Sequence, residues 1–395
     1  MVDIWKDHSQ EAKKERWKAL WAMEELPRPI WFIPACPMLA IPQERIGMGI
    51  PVTDLFTRKE VQLAESLKFN RFFRLAQRIW SRDDFVLRLQ PQMGVGVIAS
   101  AFGCRIDFPP HQMPWSHAVI KSGDNAIRVY EIQPPDIRAG LLGDVLDFAE
   151  FYYKKTNGKF PIAMTDLQGP INSASLIWDT TDFMAALYEY PDEVHHLMRL
   201  VTDVTIKFVK EFRSKVGEFI PAHFPPVYLP DGMGIAVSED NIAVMSSQTY
   251  ERFSLPYLNE LSEEFGGILI HSCGNFEHQL DVLSKVYKLR GINFGVTETR
   301  FEAVWEKFAG KTVLIPHFSS EIIVANFKNA LEWVEHVLRV KTHNRGLALM
   351  ISPDVGDVHK IKNDMALGKK TSMYANKKDL TMLWYHIRKL IRRYA

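Results

Sequence analysis

Apolar residues along this chain recur in two periods, and the alternation between them predicts the architecture. Trp5, Trp17, Leu20, Trp21 and Met23 fall close to helical spacing with Lys and Glu between them, an amphipathic helix that Pro27-Arg28-Pro29 brings to an end. Residues 30–33 are a short apolar run, 59–75 a helix and 85–89 a second strand. The rhythm then repeats: strand 159–165, short helix 182–190, and a long helix 191–215 opened by Pro191-Asp192-Glu193. Next come strand 218–224, helix 249–265 and the buried strand 267–271 (GILIH). Helix 276–286, strands 291–294 and 313–315, helix 325–340 and strand 346–351 complete the series.

Short strands each followed by a longer helix imply a parallel sheet of βα units. With about eight such units, the pattern predicts an α/β fold, a (β/α)8 TIM barrel with an elaborated N-terminal extension, ahead of a doubly wound open sheet. No Pro/Gly/Ser-rich linker, low-complexity tract or repeat divides the chain. Residues 1–395 are therefore read as one domain, with 1–150 as the elaborated region and 151–395 as the main barrel.

Composition narrows the function. A chain of 395 residues with 47% hydrophobic positions can bury a core that needs no disulfide. Lys and Arg number 48 against 47 Asp and Glu, so no charge block argues for nucleic acid or an anionic membrane as partner. Three cysteines, Cys36, Cys104 and Cys273, cannot build a disulfide framework and fit a reducing, cytoplasmic setting. The charged N-terminus lacks the apolar stretch of a signal peptide, and no apolar run is long enough to span a bilayer. A homodimer is compatible with all of this.

The sharpest chemical feature is Ile270-His271-Ser272-Cys273-Gly274-Asn275, where an apolar strand ends and a His and a Cys two apart follow. In a β/α barrel the C-terminal strand ends face the active site, and residues i and i+2 on an extended chain point the same way. A nitrogen and a sulfur so placed suit zinc better than magnesium or calcium, although the same pair also serves as ordinary core residues. Asp166, Gln168 and Asn172 lie just past another strand end and are candidates for substrate contact, with Gly169-Pro170 among them as an ordinary turn. Tyr228 and Asp231, in YLPDGMG, are placed in a loop near the site.

HSCGN after an apolar strand resembles the zinc motif of the uroporphyrinogen decarboxylase superfamily, in its corrinoid-dependent methyltransferase branch. Residues 94–115, 165–178 and 238–261 also look like the superfamily's blocks in their usual order. Arg28-Pro29-Ile30-Trp31 is similar to the start of the decarboxylase signature, but Phe32 to Leu39 then carry no arginine where the signature has several for porphyrinogen carboxylates. Carboxylates buried without cationic partners cost several kcal/mol each, so the resemblance implies the methyltransferase branch.

In thiol-methylating relatives the zinc takes a second, late Cys. The matching segment here, residues 346–357, has none, and Cys36 and Cys104 lie too early. Asp354 or Ser352 stands near that position, while Glu298, His317 and Glu239 are further candidates, Glu239 also as a catalytic group beside His271 and Cys273. What the resemblance implies is a zinc site of His271, Cys273, Glu298 and Asp354 with a single thiolate, a harder Lewis acid than a two-thiolate site. That favours demethylation of a small donor, a methoxylated aromatic, with the methyl group passed to the Co(I) corrinoid (cobalamin) of a partner protein. A methylcobamide:thiol methyltransferase, a metal-independent decarboxylase and a non-catalytic binding barrel are the alternatives. The cobalamin-binding Asp-x-His-x-x-Gly pattern is absent, since Asp357-Val358-His359-Lys360-Ile361-Lys362 lacks its glycine, so the corrinoid has to arrive on another protein.

Overall fold

The computed structural model describes residues 5–34, 52–109, 113–318, 327, 329–351 and 377–395. Asp354, Ser352, Cys36 and His359 lie outside these described residues, as does part of the helix expected at 325–340.

Six strands form a parallel sheet in the order β1-β10-β9-β8-β7-β6, with β1 at Ile30–Phe32, β6 at Ile235–Ser238, β7 at Ile268–Ser272, β8 at Leu289–Gly295, β9 at Val313–His317 and β10 at Ala348–Met350. A parallel pair, β4 (Ile162–Ala163) and β5 (Phe219–Ile220), continues the ring through Ala236 N–H donating to Pro221 O at 2.8 Å. Leu89 bridges Ile162, and Asp84 N–H donates to Trp31 O at 2.8 Å, which brings the wall back to β1. The architecture is the expected α/β TIM barrel. A small antiparallel hairpin, β2 (Arg105–Asp107) with β3 (Trp115–His117), belongs to the N-terminal elaboration. Strands β6, β7 and β9 are buried along their whole length, as apolar strands covered on both faces must be.

Helix Pro191–Lys215 begins at its proline, carries Asp192 and Glu193 in the first turn, and buries Val194, Leu197, Met198, Val201, Phe208 and Phe212 as one stripe. Each such side chain contributes about 1.5–3 kcal/mol on burial. No described helix is long and apolar enough to cross a membrane.

Three of the elements that depart from the expected pattern do so because side chains compete for their backbone groups or a proline interrupts them. Residues 85–89 form only the single bridge at Leu89, because side chains take the backbone groups a ladder would use: Lys13 Nζ and Gln77 Nε2 donate to Phe85 O, and Asn70 Nδ2 to Arg88 O. Strand 218–224 shrinks to β5 because the Arg88 guanidinium draws in the carbonyls of Ala222, His223 and Val227. Helix 249–265 divides into Ser247–Phe253 and Leu255–Phe265 at Ser254, just before Pro256, and this break frees the Ser254 hydroxyl for the site.

Arg28 has a structural partner. Its guanidinium forks onto Asp84, Nη1 to Oδ2 at 2.6 Å and Nη2 to Oδ1 at 2.9 Å, while Arg16 Nε reaches the same Oδ1 at 2.7 Å. Asp84 also accepts from Trp31 N–H, so one buried carboxylate ties the helix Gln10–Trp21, the Pro29 turn and β1 together.

Candidate metal and substrate site

Strands β6, β7 and β8 run parallel in a register that places Ser238 beside His271 and His271 beside Asn293. Partners in parallel register share a face, so these polar groups converge at the C-terminal rim of the barrel. His271 is buried, and Cys273, one step past the strand, is exposed. Cys273 Sγ lies 3.5 Å from His271 Nε2, and Asp240 Oδ1 lies 3.9 Å from the same nitrogen. Among the described residues these three are brought close enough to share one ion.

The tautomer of His271 follows from its other side. Asn293 Nδ2 donates to Ile315 O at 2.6 Å, which turns its Oδ1 toward His271 Nδ1 at 2.7 Å. An amide oxygen only accepts, so Nδ1 carries the proton and Nε2 presents its lone pair to Cys273 and Asp240. Asn293 Nδ2 also lies 3.1 Å from His317 Nδ1, which accepts from it. Burial, reinforced by His271, pushes His317 down to about 3, leaving it a neutral bracket of the row. Burial also lowers His271, against the pull of Asp240 and the Asn293 bond.

The donor set fits zinc. Bond lengths of about 2.0 Å to nitrogen and 2.3 Å to sulfur at a tetrahedral angle separate the two ligand atoms by about 3.5 Å. The Asp240 Oδ1 stands wider than the roughly 3.3 Å a tetrahedral site needs, because it accepts from Cys273 N–H at 2.7 Å, a bond that holds it beside the pair.

Glu298 is half-buried in the turn after β8 and is not part of this group, in which the carboxylate beside His271 and Cys273 is that of Asp240. The acidic pair Glu239-Asp240 after a strand end was the available signal, and the two residues divide. Glu239 N–H donates to His271 O, and its side chain turns into the protein, fully buried, where Oε2 accepts from Ser254 Oγ at 2.8 Å and Tyr250 OH at 3.3 Å. Burial raises Glu239 to about 8, with Ser254 and Tyr250 opposing. Asp240 opens a short 3-10 turn at the surface instead.

Asp166, Gln168 and Asn172 form a connected row beside the cluster. Gln168 Nε2 donates to Asp166 Oδ1 at 2.7 Å, Asn172 Nδ2 to Gln168 Oε1 at 3.1 Å, and Asn241 N–H to Asn172 Oδ1 at 3.1 Å. His223, which sequence reasoning treats as structural, joins the row: its Nε2 is 3.3 Å from Asp166 Oδ1 and 3.2 Å from Ser238 Oγ. The Phe224 ring stands edge-on to His271 with centroids 4.5 Å apart. Tyr228 and Asp231 do not reach this rim. Tyr228 OH donates to Glu218, just before β5 begins, and Asp231 pairs with Arg213 at the end of the long helix, both at the opposite mouth of the barrel. The loop 225–234 leads into the start of β6, and parallel strands put that start at the far end from His271.

The family profile described as Uroporphyrinogen decarboxylase (URO-D) matches residues 92–363, which is more than two thirds of the sequence and includes every group of the rim. The chain belongs to the uroporphyrinogen decarboxylase family. Among solved structures, a methyltransferase from Methanosarcina mazei superposes with a TM-score of 0.65 over 97% of this chain and 99% of the other, at 14% sequence identity. At that identity the likeness speaks for the fold. No curated protein sequence matches the chain.

Proposed function

We propose that this family member is a zinc-dependent methyltransferase of the cytoplasm that removes the methyl group of a small donor, a methoxylated aromatic, and passes it to the corrinoid of a partner protein. The observation that carries the reading is the His271–Cys273–Asp240 group, with one thiolate, one exposed carboxylate and an imidazole whose Nε2 lone pair is set by Asn293. Zinc held there would supply a Lewis acid for the donor's oxygen. The residues of the chain do the rest. Asn293 and His317 keep His271 in one tautomer and orientation, and Phe224 offers an aromatic edge beside the imidazole against which a ring can pack. With one thiolate, the site suits polarising oxygen more than activating a thiol. The run 32–39, which carries no arginine, speaks against capture of a polycarboxylate.

The test is elemental analysis of purified wild type beside His271→Ala and Cys273→Ala, followed by turnover of methoxylated aromatics with a reduced corrinoid protein. Near-stoichiometric zinc in wild type, lost in both variants, together with methyl transfer, is the expected result. Wild-type protein that takes up no zinc on reconstitution would overturn the reading.

A further inference from the structure

The near-even charge count of the whole chain hides a one-sided surface. Residues 68–82 hold five basic side chains, Lys68, Arg71, Arg74, Arg78 and Arg82, and no acidic one, while residues 384–395 hold four more and again no acidic side chain. The first run is the end of helix Lys59–Ala76 and the wider π turn Gln77–Ser81 that continues it. The second lies on the C-terminal helix Lys377–Arg393, which packs against that turn. Arg82 leads into residues 85–89, and Leu89 pairs in parallel with Ile162 of β4, so this face sits on the outer wall near the mouth opposite His271.

Both elements bury one stripe and leave another outside. On the first, Leu63, Phe73 and Ala76 are buried, while Phe72, Leu75 and Ile79 are 46%, 52% and 53% exposed. Their spacing of three and four puts these three on one face, and the exposed Arg71, Arg74 and Arg78 repeat that spacing one position earlier, as a basic border. The C-terminal helix buries Trp384, Ile387 and Ile391 and turns Tyr385, Lys389 and Arg392 outward. Lys68 pairs with Glu65, but among the described residues Arg71, Arg74, Arg78 and Arg82 form no ion pair. Burial, then Arg392 and Arg82, lowers Arg388, so the two basic runs meet closely enough for like charges to repel. Folding gains nothing from cations gathered around exposed Phe, Leu and Ile side chains.

A partner that is apolar within and anionic at its edge would match both features. A second copy of the chain does not, since a two-fold interface sets a surface against itself and would bring these arginines face to face. Nucleic acid satisfies the arginines, but Leu75 and Ile79 offer no flat face on which a base can stack. An anionic phospholipid bilayer takes up both: apolar side chains enter the acyl boundary, and arginine stems lie along it with their guanidinium groups at the phosphates.

We propose that the face of Phe72, Leu75 and Ile79 with its bordering arginines, extended by the basic end of the C-terminal helix, is a reversible docking surface for an anionic phospholipid membrane. Protein held there keeps the His271 rim, at the other mouth of the barrel, open to substrate and partner. The inference goes beyond the methyltransferase reading and does not depend on it.

Flotation of the full-length protein with vesicles of phosphatidylcholine, alone or mixed with phosphatidylglycerol, tests it, with a mixed-sequence RNA as a parallel probe and melting temperature as control. Wild type should float with the mixed vesicles, stay behind with phosphatidylcholine alone, and be released by raised salt. At about fivefold per basic residue near an anionic surface, the combined variant Arg71→Gln, Arg74→Gln and Arg78→Gln should weaken vesicle binding by about 100-fold. The pair Phe72→Ser and Leu75→Ser leaves the charge unchanged and should weaken it by about tenfold or more. All five side chains are exposed, so melting temperatures should stay close to wild type. Should the arginine variant fail to fold, the apolar pair carries the test. Wild type that floats with neither vesicle, floats with both alike, or binds the RNA and not the vesicles overturns the inference. Undiminished binding to mixed vesicles in either folded variant overturns it as well.

Discussion

Asn293→Leu isolates the atom on which the metal reading depends, because Leu keeps the branched shape of Asn, with bulkier methyl groups, and removes both polar ends of the side chain. In the native chain Asn293 Oδ1 accepts from His271 Nδ1, while its Nδ2 serves Ile315 O and His317 Nδ1. The substitution leaves three buried polar atoms without that partner. At about 1–3 kcal/mol for each unsatisfied group, with partial relaxation, the expected stability loss is about 3–5 kcal/mol. That is tolerable for a domain whose net stability lies in the range of about 5–15 kcal/mol. Loss of a buried partner behind a metal-bound imidazole typically weakens metal binding by about 10–100-fold, or roughly 1.4–2.7 kcal/mol. Competition for zinc against a chromophoric chelator, with circular dichroism to confirm folding, measures this directly. Asn293→Asp supplies the comparison, since it keeps an acceptor for Nδ1–H and should bind zinc within about threefold of wild type or more tightly. If folded Asn293→Leu holds zinc as tightly as wild type, the assignment of Nε2 as a ligand is wrong.

Two further outcomes follow from buried groups away from the metal. Asp84→Asn removes the charge that Arg16 and Arg28 share and should destabilise the protein by about 3–5 kcal/mol in urea titrations, as breaking a buried ion pair does. Burial opposes ionisation of Asp84, but Arg28 and then Arg16 outweigh it and bring the carboxyl to about 2, below its ordinary 3.8. Because the folded value is the lower one, its stabilisation is complete above about pH 4 and is lost as pH falls through about 2. Acid unfolding of Asp84→Asn should lack this component, and an unchanged acid limb would contradict the assignment. Gly169→Ala would place a Cβ 1.7 Å from the buried Glu239 Oε1, so that Glu239 must leave its position against Ser254. Overpacking of this kind predicts a loss of about 1–3 kcal/mol in thermal or urea melts, and a neutral effect would show that the site is looser than its geometry.

Much of the barrel is legible along the chain because burial on both faces writes strands as continuous apolar runs and helices as stripes. Helix Pro191–Lys215 has the bounds its start signal and stripe predict, and β7 ends at HSCGN as expected. Elements depart from the sequence pattern where side chains compete for backbone groups, as Lys13, Gln77 and Asn70 do along residues 85–89. Sequence pattern carries no record of such long-range competition.

At the rim the division is similar. His271 near the end of β7 and Cys273 just past it are two apart along a strand end, so their approach is a local property that the sequence determines by itself. Asp166, Gln168 and Asn172 are likewise neighbours along the chain and form a row through short-range bonds. Only the tertiary structure decides between Glu239 and Asp240, because the turn after β6 sends one carboxylate into the core and the other to the surface. It alone brings His223 and Asn293 to the rim, and it sends Tyr228 and Asp231 to the opposite mouth. The physical reason is register. A strand's local pattern says which residues share a face, but the alignment of parallel strands across the barrel decides which ends meet.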